Sequence, residues 1–370
     1  MKLFIENNIL NKHFTKVRNY YYLKMNNMNK FYISALLVMA STAILWAQPK
    51  ITVKSMPEEK KVDILIDGSL FTSYIYPENI KKPVLWPVVT AGGNEVTRQF
   101  PLKKKEGERV DHPHHVGVWL NYGDVNGLDF WNNSEAIAPE KAENYGTIYH
   151  KSIGKTKSGK GKGVLVTSAT WQDHKKNVLL DEVSEYVFSV DGKTRIIDRT
   201  TRLKAINGKV KITDNKEGMF AIRVARELEL PSKGKVKLTD SHGNVTEVDA
   251  SGDALVSGSY LSSEGIKDDA VWATRGRWMK LSGVMNGEKV ALVIFDHPSN
   301  PGYPTYWHAR GYGLFAANTL GQNVFSEGKE ALNFELNKGQ SASFRYRLAV
   351  FSGDPSVQEI EKMAGNFGKQ

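Results

Sequence analysis

The chain has 370 residues, 41% hydrophobic and 24% charged, with a formal net charge of +10 and no cysteine. That balance is ordinary for a globular protein and excludes a disordered chain or a multi-span membrane protein. Without cysteine there is no disulfide, thiolate metal site, cysteine nucleophile or lipid-bearing cysteine.

Residues 1–47 read as an export signal. Lys24 and Lys30 precede an apolar run from Phe31 to Trp46, and Ala47 stands before Gln48, where cleavage is expected. The charged region is long, so translation starting at Met25 or Met28 is an alternative, and an uncleaved membrane anchor is another. This segment holds six Lys or Arg and one Glu, half of the net charge. The remaining basic residues sit in surface-like runs such as Lys103 to Lys105, with no nucleic-acid recognition motif beside them. The expected product is a periplasmic or secreted protein, with no nucleic-acid partner and no stable membrane insertion after cleavage.

From residue 48 onward, segments of period-two alternation dominate, which is the strand signature. Strands are expected over Lys61 to Asp67, Val116 to Tyr122, Gly163 to Trp171, Glu182 to Val190, Thr194 to Ala205, Met219 to Glu229, Val271 to Val284, Lys289 to Asp296 and Ser341 to Phe351. Asp191-Gly192, Asn207-Gly208 and Asn286-Gly287 supply hairpin turns, and Lys155 to Gly163 reads as an exposed hairpin loop. A single helix is expected over Pro355 to Met363, capped by Asp354 with Pro355 in its first turn. No repeat or linker divides residues 48–370, so one domain is expected. Its fold class is all-β, a large antiparallel β-sandwich with a short C-terminal helix.

Three of the nine histidines fall in Asp111-His112-Pro113-His114-His115, just ahead of Trp119. Pro113 favours an extended His112, and alternation then places His112 and His114 on one face with His115 on the other. Imidazoles so spaced suit proton transfer or a metal ion; a surface cluster without a role is the alternative. A second group is His297, Asn300, Tyr303, Tyr306, Trp307, His308 and Arg310, in which His308 and Arg310 share a face if extended. Its rings either stack on a sugar or pack the loop. Between them, Glu217 and Arg223 are expected together on one face of a strand, as an acid/base and anion-clamping pair or as a plain ion pair. His150 is a weaker candidate, and His112, His114 and His150 are the candidate metal ligands. There is no phosphate-cradling Gly-rich loop, His-Glu-x-x-His helix or Gly-x-Ser-x-Gly elbow.

Three strings resemble a bacterial family catalogued as PmoA-like and labelled methane oxygenase PmoA. They are Asp111 to Trp119, Gly123-Asp124-Val125-Asn126-Gly127-x-Asp129-Phe130-Trp131, and Phe295-Asp296-His297-Pro298-x-Asn300-Pro301 running on to Trp307-His308-x-Arg310-x-Tyr312-Gly313. Taken literally, the label implies a copper-dependent oxygenase using His112, His114 and a third histidine. Methane monooxygenase subunits are membrane helix bundles, whereas this chain has one apolar run. What the resemblance implies is therefore a secreted β-sandwich of the galactose-mutarotase-like supersandwich type.

The functional expectation is an enzyme acting on a carbohydrate or related polyhydroxylated compound, its ligand a small molecule or oligosaccharide. His114, His308, Glu217, His115 and His297 are the catalytic candidates, with or without a bound divalent metal. Arg223, Arg310, Trp119, Tyr306, Trp307 and Asn300 are the candidate substrate contacts. A non-catalytic carbohydrate-binding or assembly protein is the second reading, and the copper oxygenase the third.

Overall fold

Alternating side chains need two surfaces, and here one surface of each sheet is buried against the other sheet. The computed structural model describes residues 23–25 and 48–370. The export signal expected over residues 1–47, including the cleavage point after Ala47, lies outside the described residues save for 23–25. Among the described residues no helix is long and apolar enough to cross a membrane.

Pro49–Gln370 form one unit, built on two large antiparallel sheets. The ten-stranded sheet runs, edge to edge, through strands 275–276, 305–310, 314–318, 218–223, 118–122, 84–88, 69–75, 61–66, 50–56 and 159–160. The eight-stranded sheet runs through 259–262, 278–285, 288–296, 341–352, 194–205, 178–191, 162–172 and 147–157. Their facing sides share one core, in which Phe71 meets Phe188 edge-on and Phe220 stacks on Tyr346. The all-β antiparallel sandwich expected from periodicity is the observed fold.

The longest strands are the most regular. Val178–Asp191 and Thr194–Ala205 pair along their whole length, joined by a tight turn in which Gly192 takes φ 57°. Asn286 and Gly287 take φ 50° and 78° between Trp278–Met285 and Glu288–Asp296, the primed-turn geometry that Asn-Gly favours. Asn207-Gly208 makes no hairpin between neighbours, because the next strand, Val210–Ile212, leaves to pair with Phe334–Leu336.

Four expectations need correction. Met219 to Glu229 is strand only through Arg223, then a 3-10 turn over Arg226–Leu228. Val271 to Val284 is split: Arg275–Gly276 belongs to the ten-stranded sheet and Trp278–Met285 to the eight-stranded one. Lys155 to Gly163 is mostly strand, and Gly159–Lys160 crosses over to pair with Lys50–Ile51. The C-terminal helix is Val357–Phe367, capped by Ser356 and Glu359 reaching for each other's backbone, a reciprocal pair that outcompetes Asp354. Asp354 instead takes an ion pair with Lys280 at 2.7 Å.

Candidate functional site

Register decides which side chains meet on the outer face of the ten-stranded sheet. Trp119, Ala221, Ala316 and His308 stand directly opposite one another on four adjacent strands, so they form one row across it. Arg223, Leu314 and Arg310 form the next row on the same face. The alternate rows, Val118, Ile222, Phe315 and Ala309 between these two and Leu120, Phe220, Ala317 and Trp307 beyond the first, point into the intersheet core. The two alanines leave room for Trp131, which packs over them and joins Trp119 to His308, with ring centroids 5.2 and 6.1 Å away.

The histidine loop enters this face through a buried arginine. Arg98 donates to the carbonyls of Asp111 (2.8 Å), His112 (2.8 Å) and His115 (3.1 Å), and to the Asp111 carboxylate (2.8 Å). Gathering three carbonyls on one guanidinium bends the loop, and His112 takes the left-handed φ of 43° instead of the extended one that Pro113 favours. The expected separation of His112 and His114 from His115 therefore fails. All three rings converge: His112 stacks on His115 at 4.9 Å, and His114 lies 4.3 Å from His115 and 5.6 Å from His112. Gly117 then reverses the chain at φ 58°, where an added Cβ would come within 2.2 Å of the Leu85 carbonyl.

The result is a ladder of rings, Tyr312 on His112 at 5.0 Å, His112 on His115, and His115 on Trp119 at 5.3 Å. Arg223 fastens it from beneath. One amino group donates to Asp111 at 2.6 Å, the other lies 3.2 Å from His115 Nδ1, and the guanidinium covers the Tyr312 ring at 4.8 Å. At the far end Glu217 Oε2 lies 3.7 Å from His308 Nδ1. Glu217 and Arg223 are thus not the pair expected: Arg223 is taken by Asp111, and Glu217 faces His308.

Burial dominates the electrostatics. It lowers His308 to about 3, with the positive fields of Lys216 and Arg310 adding to the effect. His114 falls to about 2 by burial, helped by Lys82, and His115 is driven well below the usual imidazole range for the same reason. For Asp111 burial opposes ionisation, but His112, Arg223 and Arg98 outweigh it and hold the carboxyl well below its ordinary value. His114 Nε2, His115 Nε2, His308 Nδ1 and the indole nitrogens of Trp119 and Trp131 are shielded and have no hydrogen-bond partner among the described residues. Buried polar atoms are rarely left so, and five on one face call for an occupant.

Other sequence candidates lie elsewhere. His297 bonds Ser299 at 2.7 Å and meets Phe367 of the C-terminal helix edge-on, beyond the eight-stranded sheet. Asn300 clamps the backbone of Arg345 and the side chain of Asp296. Trp307 faces the intersheet core, opposite to His308, because neighbours on a strand alternate. Tyr306 and Arg310 are exceptions, two residues to either side of His308 on the same outer face, where Tyr306 packs between Arg275 and Phe325 and Arg310 lies over Trp272 at 4.5 Å. His150 stacks on Tyr76 and bonds Tyr74, so the metal set of His112, His114 and His150 does not assemble. Among the described residues no three His, Cys, Asp or Glu side chains are placed to hold an ion. Arg98, Lys82 and Asp111 were not singled out from sequence. Asp111 and Tyr312 carried a signal, since both lie inside the motif strings, but Arg98 and Lys82 carried none.

Solved structures that resemble the chain include the galactosidase domain of an alpha-galactosidase-sucrose kinase, at 9% identity over 81% of this chain and 42% of that one, with a TM-score of 0.41. Others are a galactose mutarotase-like protein from Clostridium acetobutylicum (11% identity, 82% and 99% covered, TM-score 0.33) and a galactose mutarotase related enzyme from Lactobacillus acidophilus (6%, 82% and 98%, 0.32). The chain thus spans about two fifths of the first. No curated protein matches the chain. A family model does match, over residues 61–365, a stretch that contains all three motif strings and every residue of the ladder; the chain belongs to that family, DUF6807, a family of unknown function.

Proposed function

We propose that the chain is an exported enzyme that transfers protons on a carbohydrate or related polyhydroxylated compound at the outer face of its ten-stranded sheet. One observation carries this reading: the unpartnered ring nitrogens of His114, His115 and His308 gather on one aromatic ladder with Glu217 at its end. Imidazoles held so far below their ordinary range are neutral near pH 7, and each then carries one donor and one acceptor; on His115 the acceptor is Nδ1, taken by Arg223, which leaves its Nε2–H to donate. That inventory suits hydroxyl groups. Glu217 is the group that takes or returns the proton, and His308 closes from 3.7 Å to hydrogen-bond distance when ligand orders the pair. His112 and Tyr312 supply flat surfaces at the other end. Arg223 is a positioning residue, acting through His115 and Asp111.

The copper-dependent oxygenase attached to the PmoA label needs a third ligand beside His112 and His114, and the described residues assemble no such set. The enzyme reading is tested by following a panel of mono- and disaccharides by proton NMR in deuterated water. Conversion or deuterium exchange of one compound is expected, and Glu217→Gln should slow it about 100-fold to 10,000-fold while ligand still binds. Binding without turnover in the native protein, or an unimpaired Glu217→Gln variant, would sink the reading in favour of a binding module.

A further inference from the structure

Lys82 is 3% exposed, which is rare for a lysine without a carboxylate partner. Its ammonium donates to the His114 carbonyl at 2.7 Å and lies 5.3 Å from the Trp119 ring, and no carboxylate oxygen of the described residues comes within ion-pair distance. Asp129 is the carboxylate whose field reaches it, but Asp129 is engaged by the backbone N–H groups of Trp131 and Asn132 and by the Asn132 side chain. The neighbouring Lys81, by contrast, is paired with Glu135. A buried cation that keeps two of its three N–H donors unused is an expensive arrangement unless something else uses them.

Space for that partner exists. A cleft of about 230 Å³ is lined by Lys82, His114, Asn133, Ser134 and Pro113, with Lys81 and Glu135 also on its wall. His114, whose Nε2 is shielded and lacks a partner among the described residues, is one of the residues lining it.

We propose that this cleft is a carboxylate subsite, in which Lys82 Nζ and His114 Nε2 together hold the acid group of a sugar acid. The inference rests on the carbohydrate reading above and narrows its substrate class to uronic or aldonic acids. One ammonium and one neutral imidazole match two oxygens carrying a single negative charge. A phosphate dianion asks for more donors than this wall presents, with no guanidinium and no helix N-terminus in it. Asn133 is no extra donor, since its amide is spent on Gly146 and Thr147. Burial lowers Lys82 to about 7, so an arriving anion restores the charged form and docking draws a proton from solution.

Titration calorimetry with D-glucuronate, D-glucose and inorganic phosphate, at about pH 8 in two buffers of different ionisation enthalpy, tests this. Glucuronate should bind about tenfold or more tighter than glucose and take up close to one proton per site. Lys82→Met should abolish both the preference and the uptake while glucose binding persists. That variant separates Lys82 from the other charged groups around it, His114, Asp129, Lys81 and Glu135. Glucuronate that binds no better than glucose, binds without proton uptake, or fails to bind at millimolar concentration overturns the subsite, as does tighter binding of phosphate. None of these outcomes touches the Glu217→Gln test, so the enzyme reading stands or falls separately.

Discussion

The sandwich has two outer faces, and they solve the same packing problem in opposite ways. Over the eight-stranded sheet, Ile196, Trp278, Val293 and Phe295 are roofed by Ile360 and Phe367 of the C-terminal helix. Most polar groups under that roof find partners, the Nε2 of His297 being an exception: the Trp278 indole donates to Glu361 at 2.9 Å, Lys280 pairs with Asp354, and Arg347 grips Asp198 with two bonds of 2.6 and 2.8 Å. Over the ten-stranded sheet the indoles of Trp119 and Trp131 donate to nothing, and three imidazoles are left with an unpartnered nitrogen. Yet the backs of these groups are heavily braced, by Arg98 and Arg223. The helix-roofed face thus pairs most of its polar atoms, whereas the unspent donors of the other face are the ground for the ligand site proposed above.

Several experiments break or sharpen this contrast. The largest effect belongs to Glu217→Gln, the loss of turnover given above, against Phe367→Ala on the opposite face. The second variant should cost about 3–5 kcal/mol of stability in denaturant titration through the cavity it leaves, yet leave turnover intact below its melting transition. If Phe367→Ala lowered turnover as Glu217→Gln does, the two faces would not be functionally distinct.

Acid should weaken the molecule through the site face. His115 and His308 are buried with pKa values depressed below the unfolded value near 6.5. Below that value the unfolded chain binds protons that the native state refuses, so their contribution is complete above about pH 7 and declines as pH falls towards their native values. By about pH 5.5 the two together should cost on the order of 3 kcal/mol, read from denaturation midpoints at a series of pH values. A profile flat between about pH 7 and 5.5 would mean that the rings are charged and paired in the native state.

The smallest effects compare two tryptophans. Trp278→Phe removes one bond to Glu361, which keeps Arg277, and should cost about 1 kcal/mol beyond the lost packing. Trp119→Phe removes a donor that has no protein partner, so its cost in the ligand-free protein should be packing alone, with weakened ligand affinity measured by calorimetry. Equal stability penalties at the two sites would show that the Trp119 indole is already satisfied.

Much of the fold was legible because strand alternation is local. Thr194–Ala205 was read with its observed bounds, and Asn286-Gly287 as the turn it makes, since each depends on residues within a few positions. The histidine cluster was legible for a similar reason, a local bias in composition. His297 and His308 looked equivalent, lying in one motif string, but the chain passes between sheets in that stretch, and they end on opposite outer faces.

By itself, then, the sequence determined that this is an antiparallel sandwich and that three histidines cluster between residues 112 and 115. Only the tertiary structure decided that the three rings meet, that Glu217 faces His308 while Arg223 takes Asp111, and that Lys82 is left without a carboxylate. The physical reason is that period-two patterning reports which side of a strand is apolar but not which sheet the strand joins. The bonds from Arg98 that bend the loop come from a guanidinium with no local signal, and their directions exist only once the sheet has formed.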